Sequence, residues 1–193
     1  MPQLWADDLP AHRALVLGRL LDAYAELVGQ VGFDGVTLAA VAERAEIARS
    51  AVYNYVSDRH DLALAHAERE MSRFLGVMAE AVGAEADPAG QLRAYVTTSL
   101  AQAADSVGDE LMPLLTDDER GRVMIMLAPL RDVLHDIVDR GVAQGDFSGD
   151  VDALSDLVWA TIAGYRMPIA HGQVDPDTAA ATASHVLLAG LAS

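Results

Sequence analysis

Residues 36–62 read VTLAAVAERAEIARSAVYNYVSDRHDL. Thr37 precedes an apolar run, and its hydroxyl is suited to accept from a backbone N–H that the first turn of a helix leaves without a partner. Leu38, Val41, Ala42 and Ala45 recur at spacings of three and four, which predicts a short helix over about 38–45. Glu46, Ile47 and Ala48 break it, and a second short helix is predicted over about 49–56. Ser57 and Asp58 can cap a further helix that begins near Arg59. Val41, Ala42, Ala45, Ile47, Val52 and Val56 are apolar where the two short helices would meet, and Ala42 and Ala45 are small enough for a close crossing. This is the pattern of a helix-turn-helix.

Upstream, Leu17, Leu20, Leu21, Tyr24, Leu27, Val28 and Val31 make one apolar stripe with Arg19, Asp22 and Glu26 between them. A helix from about Pro10 to Val31 follows, ended by Gly32 and Gly35 on either side of Phe33. Downstream, the helix from Arg59 is expected to reach about Gly83. Asp87-Pro88 and Asp175-Pro176 each place a capping carboxylate before a proline in the first turn, starting helices that reach about Asp105 and Leu191. Gly108 and Pro113 interrupt 106–115, leaving a short helix or turn. Asp117, Asp118 and Glu119 set negative charge at the positive end of a helix to about Gln144, bent at Pro129. A turn from Gly145 leads to Asp150, which caps a helix over about Val151–Ala170. No alternating strand pattern, repeat or low-complexity segment is present. The expected fold class is all-α, with a three-helix domain at 1–58 joined by a long helix to a second helical domain at 59–193.

The chain has 193 residues, 52% apolar and 22% charged, enough for a packed core in one or two domains. The absence of cysteine rules out a disulfide framework, a thiolate metal site and a cysteine nucleophile. There are 29 acidic residues against 13 basic ones, all arginine, giving a net charge of −16. That balance argues against a polycationic nucleic-acid coat, but not against a small local reading face. Residues 1–70 hold six arginines and eleven acids, and 71–193 hold seven and eighteen, whereas 44–59 hold three arginines and two acids. The least acidic stretch therefore coincides with the helix-turn-helix. The outer side of its second helix carries Arg49, Ser50, Tyr53, Asn54 and Tyr55, groups that bond phosphate oxygens and base edges. Arg49 lies in the first turn, the part of such a helix that goes deepest into a major groove. Arg59, with the N–H groups opening the next helix, can hold a phosphate. Asp7 and Asp8 argue against a basic minor-groove arm. The first residues lack the basic and apolar regions of a signal peptide, and no stretch nears the ~18 apolar residues of a membrane helix. The expectation is a soluble, cytoplasmic chain with no membrane contact.

The 36–62 stretch resembles the N-terminal domain of the TetR family of transcriptional regulators. The resemblance rests on Thr37 after an apolar residue, the Val41-Ala42-x-x-Ala45 pattern, Tyr53, and the charged-x-x-Leu start at Arg59 to Leu62. It covers about residues 10–65. Arg140-Gly141-Val142-Ala143-Gln144-Gly145-Asp146-Phe147 is similar to the end of a long helix in the same family. The resemblance implies a homodimeric DNA-binding repressor or activator with a ligand-binding helical domain; the expectation is a repressor with a palindromic double-stranded DNA operator and a small-molecule effector. By motif position, Thr37 and Tyr53 would meet phosphates. Arg49, Ser50, Asn54 and Tyr55 would face the operator, and Arg59 would stand in for a lysine near the DNA backbone. Glu46 occupies a turn position where the family usually has glycine, Ala48 replaces a capping Ser or Thr, and Val56 replaces a phenylalanine. The missing cap corresponds to about 1 kcal/mol.

The resemblance also implies an effector cavity in the second domain. Met71, Phe74, Met78, Tyr95, Met112, Met124, Met126, Trp159 and Met167 lie on the helices that would enclose it, and methionine adapts to irregular ligands. On the last two helices, Leu154, Leu157, Val158, Ile162 and Tyr165 form one stripe, and Ala179, Ala183, Val186, Leu187 and Gly190 form another. Paired across two chains these would make a four-helix bundle, giving a homodimer through the last two helices. His66 with Glu70, and His135 with its neighbouring aspartates, read as helix-surface pairs rather than metal ligands. No cofactor is implied, and no phosphate loop or nucleophile motif supports an enzyme. Two alternatives stay open: a helical binding protein of the same fold without specific DNA binding, and an enzyme with an acidic helical pocket.

Overall fold

The computed structural model describes residues 9–103 and 115–192. Eight helices occupy these residues: α1 (Leu9–Gly35), α2 (Leu38–Arg44), α3 (Arg49–Val52), α4 (Arg59–Gly83), α5 (Pro88–Ala103), α6 (Asp117–Gln144), α7 (Val151–Ala170) and α8 (Pro176–Leu191). No strand is formed among them, and the all-α expectation holds. The predicted turn or helix at 106–115 lies, apart from Leu115, outside the described residues. The chain divides into two compact units between Glu70 and Met71, inside α4.

In the first unit the predicted caps are in place. Thr37 Oγ1 accepts from Ala40 N at 3.1 Å to start α2. Asp58 Oδ1 accepts from Asp61 N at 2.9 Å, and Asp61 in return accepts from the backbone and hydroxyl of Ser57. Leu20, Leu21 and Tyr24 of α1, Val41 and Ala42 of α2, Val52 of α3 and Leu62 of α4 are all buried. Burial drives the phenol of Tyr24 up to about 12. Each fully buried aliphatic side chain contributes roughly 1.5–3 kcal/mol. Exposed ion pairs such as Arg44–Glu26 contribute about 0–1 kcal/mol each. Apolar burial therefore holds this unit.

Two boundaries differ from expectation. The stripe of α1 runs out before its end, because Val31 is exposed. At Gly32 the backbone turns to φ 71, ψ 169, a left-handed conformation open to glycine, and one further turn reaches Gly35. α3 ends at Val52 instead of about Val56. The chain continues through turns in which Asn54 N donates to Ala51 O and Tyr55 N to Val52 O.

Glu46 explains the turn between α2 and α3. Its φ is 56, so a side chain sits where a glycine would be unstrained. Its carboxylate pairs with Arg19 at 3.0 Å on the surface. Relief of about 1–2 kcal/mol of backbone strain outweighs an exposed ion pair and the added freedom of an unfolded glycine. Glu46→Gly is thus expected to stabilise the chain by roughly 0.5–1 kcal/mol. A higher denaturant midpoint at unchanged slope is the check; a lower midpoint shows the ion pair dominating.

The second unit is built on a single apolar core of α5–α8 and the end of α4. The capping carboxylates predicted from Asp-Pro pairs are in place: Asp87 accepts from Gly90 N at 2.8 Å and Asp175 from Thr178 N at 2.8 Å. The backbone N–H and hydroxyl of Thr178 hold the Asp175 carboxyl below its ordinary range. Thr116 and Glu119 form a reciprocal capping box at the start of α6, which runs unbroken through Pro129. Tyr95 is wholly buried and donates to Leu130 O at 3.0 Å, which relieves the cost of burying its hydroxyl. No helix of the described residues is long and apolar enough to cross a membrane.

Candidate nucleic-acid interface

α2, the turn at Glu46 and α3 stand on the buried side chains of Val41, Ala42, Ala45, Val52 and Val56. That packing leaves Arg49, Ser50, Tyr53 and Asn54 exposed, at spacings that put them on one face. Tyr53 is 55% exposed, far more than a packing role requires. Arg49 makes no hydrogen bond or ion pair among the described residues, so its guanidinium is available. Ala48, at the N-cap of α3, supplies no side-chain bond, and the N–H groups of that first turn are uncapped by it.

The remaining candidates have partners. Thr37 spends an acceptor lone pair on Ala40 N and keeps its O–H donor for an oxygen outside the helix. Arg59 sits over Phe33 at 4.7 Å and bonds Asp34 at 3.3 and 3.4 Å. That site, named from sequence as a phosphate contact, is therefore shared with a carboxylate. Tyr55 is half-buried and lies under Arg13, whose guanidinium carbon is 5.1 Å from the ring centroid. Arg13 Nη1 also donates to Asn54 O at 3.0 Å. Sequence reasoning missed Arg13, because the interaction spans forty-one residues and no local spacing announces it.

Arg69 lies between the two side chains of the His66–Glu70 pair. It bonds Glu70 at 3.3 Å and His66 Nδ1 at 3.4 Å, and reaches Asp22 of α1 at 2.7 Å. Among the described residues no group of three or more metal-ligating side chains assembles.

In the second unit, Phe74, Met78 and Tyr95 are buried in the core, and Met71 and Trp159 pack against it. Met124 and Met167 are exposed, Met126 is half-buried, and Met112 lies outside the described residues. These candidates do not converge on one opening. A groove of about 410 Å³ beside Arg131 and His135 is bridged by Arg131–Asp156 at 2.6 Å and His135–Asp152 at 3.2 Å. Another, of about 540 Å³, runs along Arg93, Thr97, Ser184 and His185, but the hydroxyl of Ser184 is sealed from solvent and without a partner. Neither is lined by the sequence-derived effector candidates.

Residues 20–65 match the family model described as bacterial regulatory proteins, tetR family. A TetR transcription regulator from Haloarcula marismortui is similar over 93% of this chain and 100% of that one, with 17% identity and a TM-score of 0.79. FadR from Bacillus subtilis, in complex with stearoyl-CoA, is similar over 90% and 98%, with 17% identity and a TM-score of 0.75. Reduced NemR from E. coli is similar over 92% and 98%, with 17% identity and a TM-score of 0.73. No curated protein matches the chain in sequence. The fold is shared with these structures, and the two short helices of the helix-turn-helix lie inside the 36–62 stretch that predicts them. The family match is thus confined to the helix-turn-helix region, and over the whole chain the fold is shared with solved regulators of the TetR family.

Proposed function

We propose that the protein is a ligand-responsive repressor that binds a near-palindromic operator as a homodimer in the cytoplasm. The observation carrying this reading is Arg49, exposed and without a partner among the described residues, beside Ser50 on a short helix whose other side is buried, with Tyr53 and Asn54 exposed in the turns that follow. Thr37, Tyr53 and Arg59 are assigned to phosphates. Arg49, Ser50, Asn54 and Tyr55 are assigned to the operator. An exposed pair such as Arg59–Asp34 is worth under about 1 kcal/mol, so a phosphate displaces the carboxylate readily. Residues 1–58 act as the reading head and 59–193 as the effector and dimer domain.

Support for the dimer lies on α7 and α8. Of the stripes read from sequence, Val158, Ile162, Ala179, Ala183 and Leu187 are buried within the chain's own core, but Leu157 is 51% and Val186 62% exposed, and Ala160, Gly164, Ala189 and Gly190 beside them are exposed and small. A homodimer that reads two half-sites of one operator places its reading helices about 34–36 Å apart along the duplex. The effector is assigned to the apolar interior around Met71, Phe74, Met78, Tyr95 and Trp159, with Met124, Met126 and Met167 on the flanking helices. The packed state of that core fits the DNA-binding conformer. An effector that binds an expanded state better would draw the population away from the operator.

The uncapped start of α3 at Ala48 and the Arg59–Asp34 bond favour a second reading, a ligand-binding protein without specific DNA recognition. Selection of genomic duplexes by the full chain, followed by gel shifts over a salt series, separates the two. The regulator reading expects enrichment of a two-half-site sequence bound by two chains, with affinity falling steeply as salt rises. Recovery of unrelated fragments with equal affinity leaves the second reading standing.

A further inference from the structure

Arg13 is an element of the reading head that neither the motif nor the charge distribution identifies. It belongs to α1, yet its guanidinium N–H donates to the Asn54 carbonyl at 3.0 Å and its central carbon lies 5.1 Å from the Tyr55 ring centroid. Asn54 and Tyr55 follow the end of α3, where their N–H groups donate to the last helical carbonyls, Ala51 O and Val52 O, and the Asn54 carbonyl accepts from Arg13. α3 itself is four residues long. So short a helix has one turn of internal hydrogen bonds, and it has no side-chain cap at Ala48. Its orientation depends on what grips its two ends. Val52 and Val56 anchor it below, and Arg13 is the polar grip seen on its outer end.

We infer that Arg13 is a positioning residue for sequence recognition: its fork holds the Asn54–Tyr55 turn, and so fixes where Arg49, Tyr53 and Asn54 meet a base edge. The inference rests on the DNA-reading function proposed above. It makes a demand that differs from those of phosphate binding and of plain stability. If Arg13 bound a phosphate, its removal would weaken binding to every duplex and reduce the salt slope by roughly 0.9. If it served stability alone, its removal would reduce the folded fraction and lower binding to all duplexes alike. Removing a residue that positions the reading helix weakens the selected sequence and spares a scrambled one.

The test compares wild type, Arg13→Ala, Arg13→Lys and Arg49→Ala as full chains. Each is titrated with the duplex selected by wild type and with a scrambled duplex of equal composition, over a salt series. Arg13→Ala is expected to lose about tenfold in discrimination, with affinity for the scrambled duplex and the salt slope unchanged. Arg13→Lys keeps the charge but not the planar fork that both bonds and stacks, and is expected to lose discrimination as well. Wild-type behaviour of Arg13→Lys, or an equal loss on both duplexes, overturns the inference. If Arg49→Ala loses discrimination and Arg13→Ala keeps it, the inference alone fails. If wild type selects no sequence, the DNA-reading function fails and takes the inference with it.

Discussion

Arg49→Ala is expected to weaken binding to the selected operator by about 10- to 100-fold, the 1–3 kcal/mol that a bidentate arginine contact to a base contributes. The effect should be confined to binding. Arg49 is exposed and holds no partner among the described residues, so its removal should change folding stability by less than about 0.5 kcal/mol. The charge environment enlarges its share. The chain carries a net −16, and a duplex approaching it meets repulsion almost everywhere outside the helix-turn-helix. Few favourable contacts then carry the affinity, and each weighs more than in a basic protein. Operator affinity by fluorescence anisotropy at fixed salt, with melting temperature as control, is the measurement. An unchanged affinity removes Arg49 from the reading face and shifts the weight to Ser50 and Asn54.

The parts of this protein legible in its sequence are those that local chemistry decides. Asp87, Asp150 and Asp175 are caps because a short carboxylate can reach N–H groups three residues on, and the structure shows each doing so. The helix-turn-helix was legible because Thr37 and the Val41–Val56 spacing are local too. What escaped is set by distant parts of the chain. The length of α3 could not be read from apolar spacing, because Val56 is buried whether or not the backbone before it is helical. Arg59 read as an open phosphate site because Asp34 and Phe33 are twenty-five residues or so away in the chain. Methionines on facing helices read as a cavity lining, but the same spacing serves a filled core, and Phe74 and Met78 are packed in one. Glu46 is the intermediate case. Its departure from glycine was visible, and its φ of 56 shows why glycine suits the position.

The second large effect concerns Gly141, in the stretch 140–147 whose likeness to a family helix end had no physical account until the structure supplied one. Gly141 is buried on α6 with the ring of Phe147 directly against it, and a Cβ there would fall inside the ring's van der Waals envelope. The ring has little freedom to retreat. Phe147 N and Asp146 N both donate to Gly141 O, at 3.0 and 2.9 Å, closing the chain over the end of the helix. On its other side Phe147 bridges to Ala192, and Ser148 N donates to Leu191 O at 2.8 Å, which ties this turn to the end of α8. Gly145, at φ 81, lets the chain reverse after α6 and return Phe147 to that spot. Gly141→Ala must therefore push the ring out or break those bonds, and is expected to cost about 3 kcal/mol, at the upper end of overpacking effects. For a chain of this size that lowers the melting temperature by roughly 6–12 °C. Phe147→Ala removes the obstruction at the expense of a cavity, itself about 3–5 kcal/mol. In the double variant the methyl group occupies space the ring has left, so the pair should cost clearly less than the two single changes together. Chemical denaturation of the four chains measures this coupling. Additive losses mean that the ring does not press on Gly141, and the close packing at the end of α6 is then not what requires glycine.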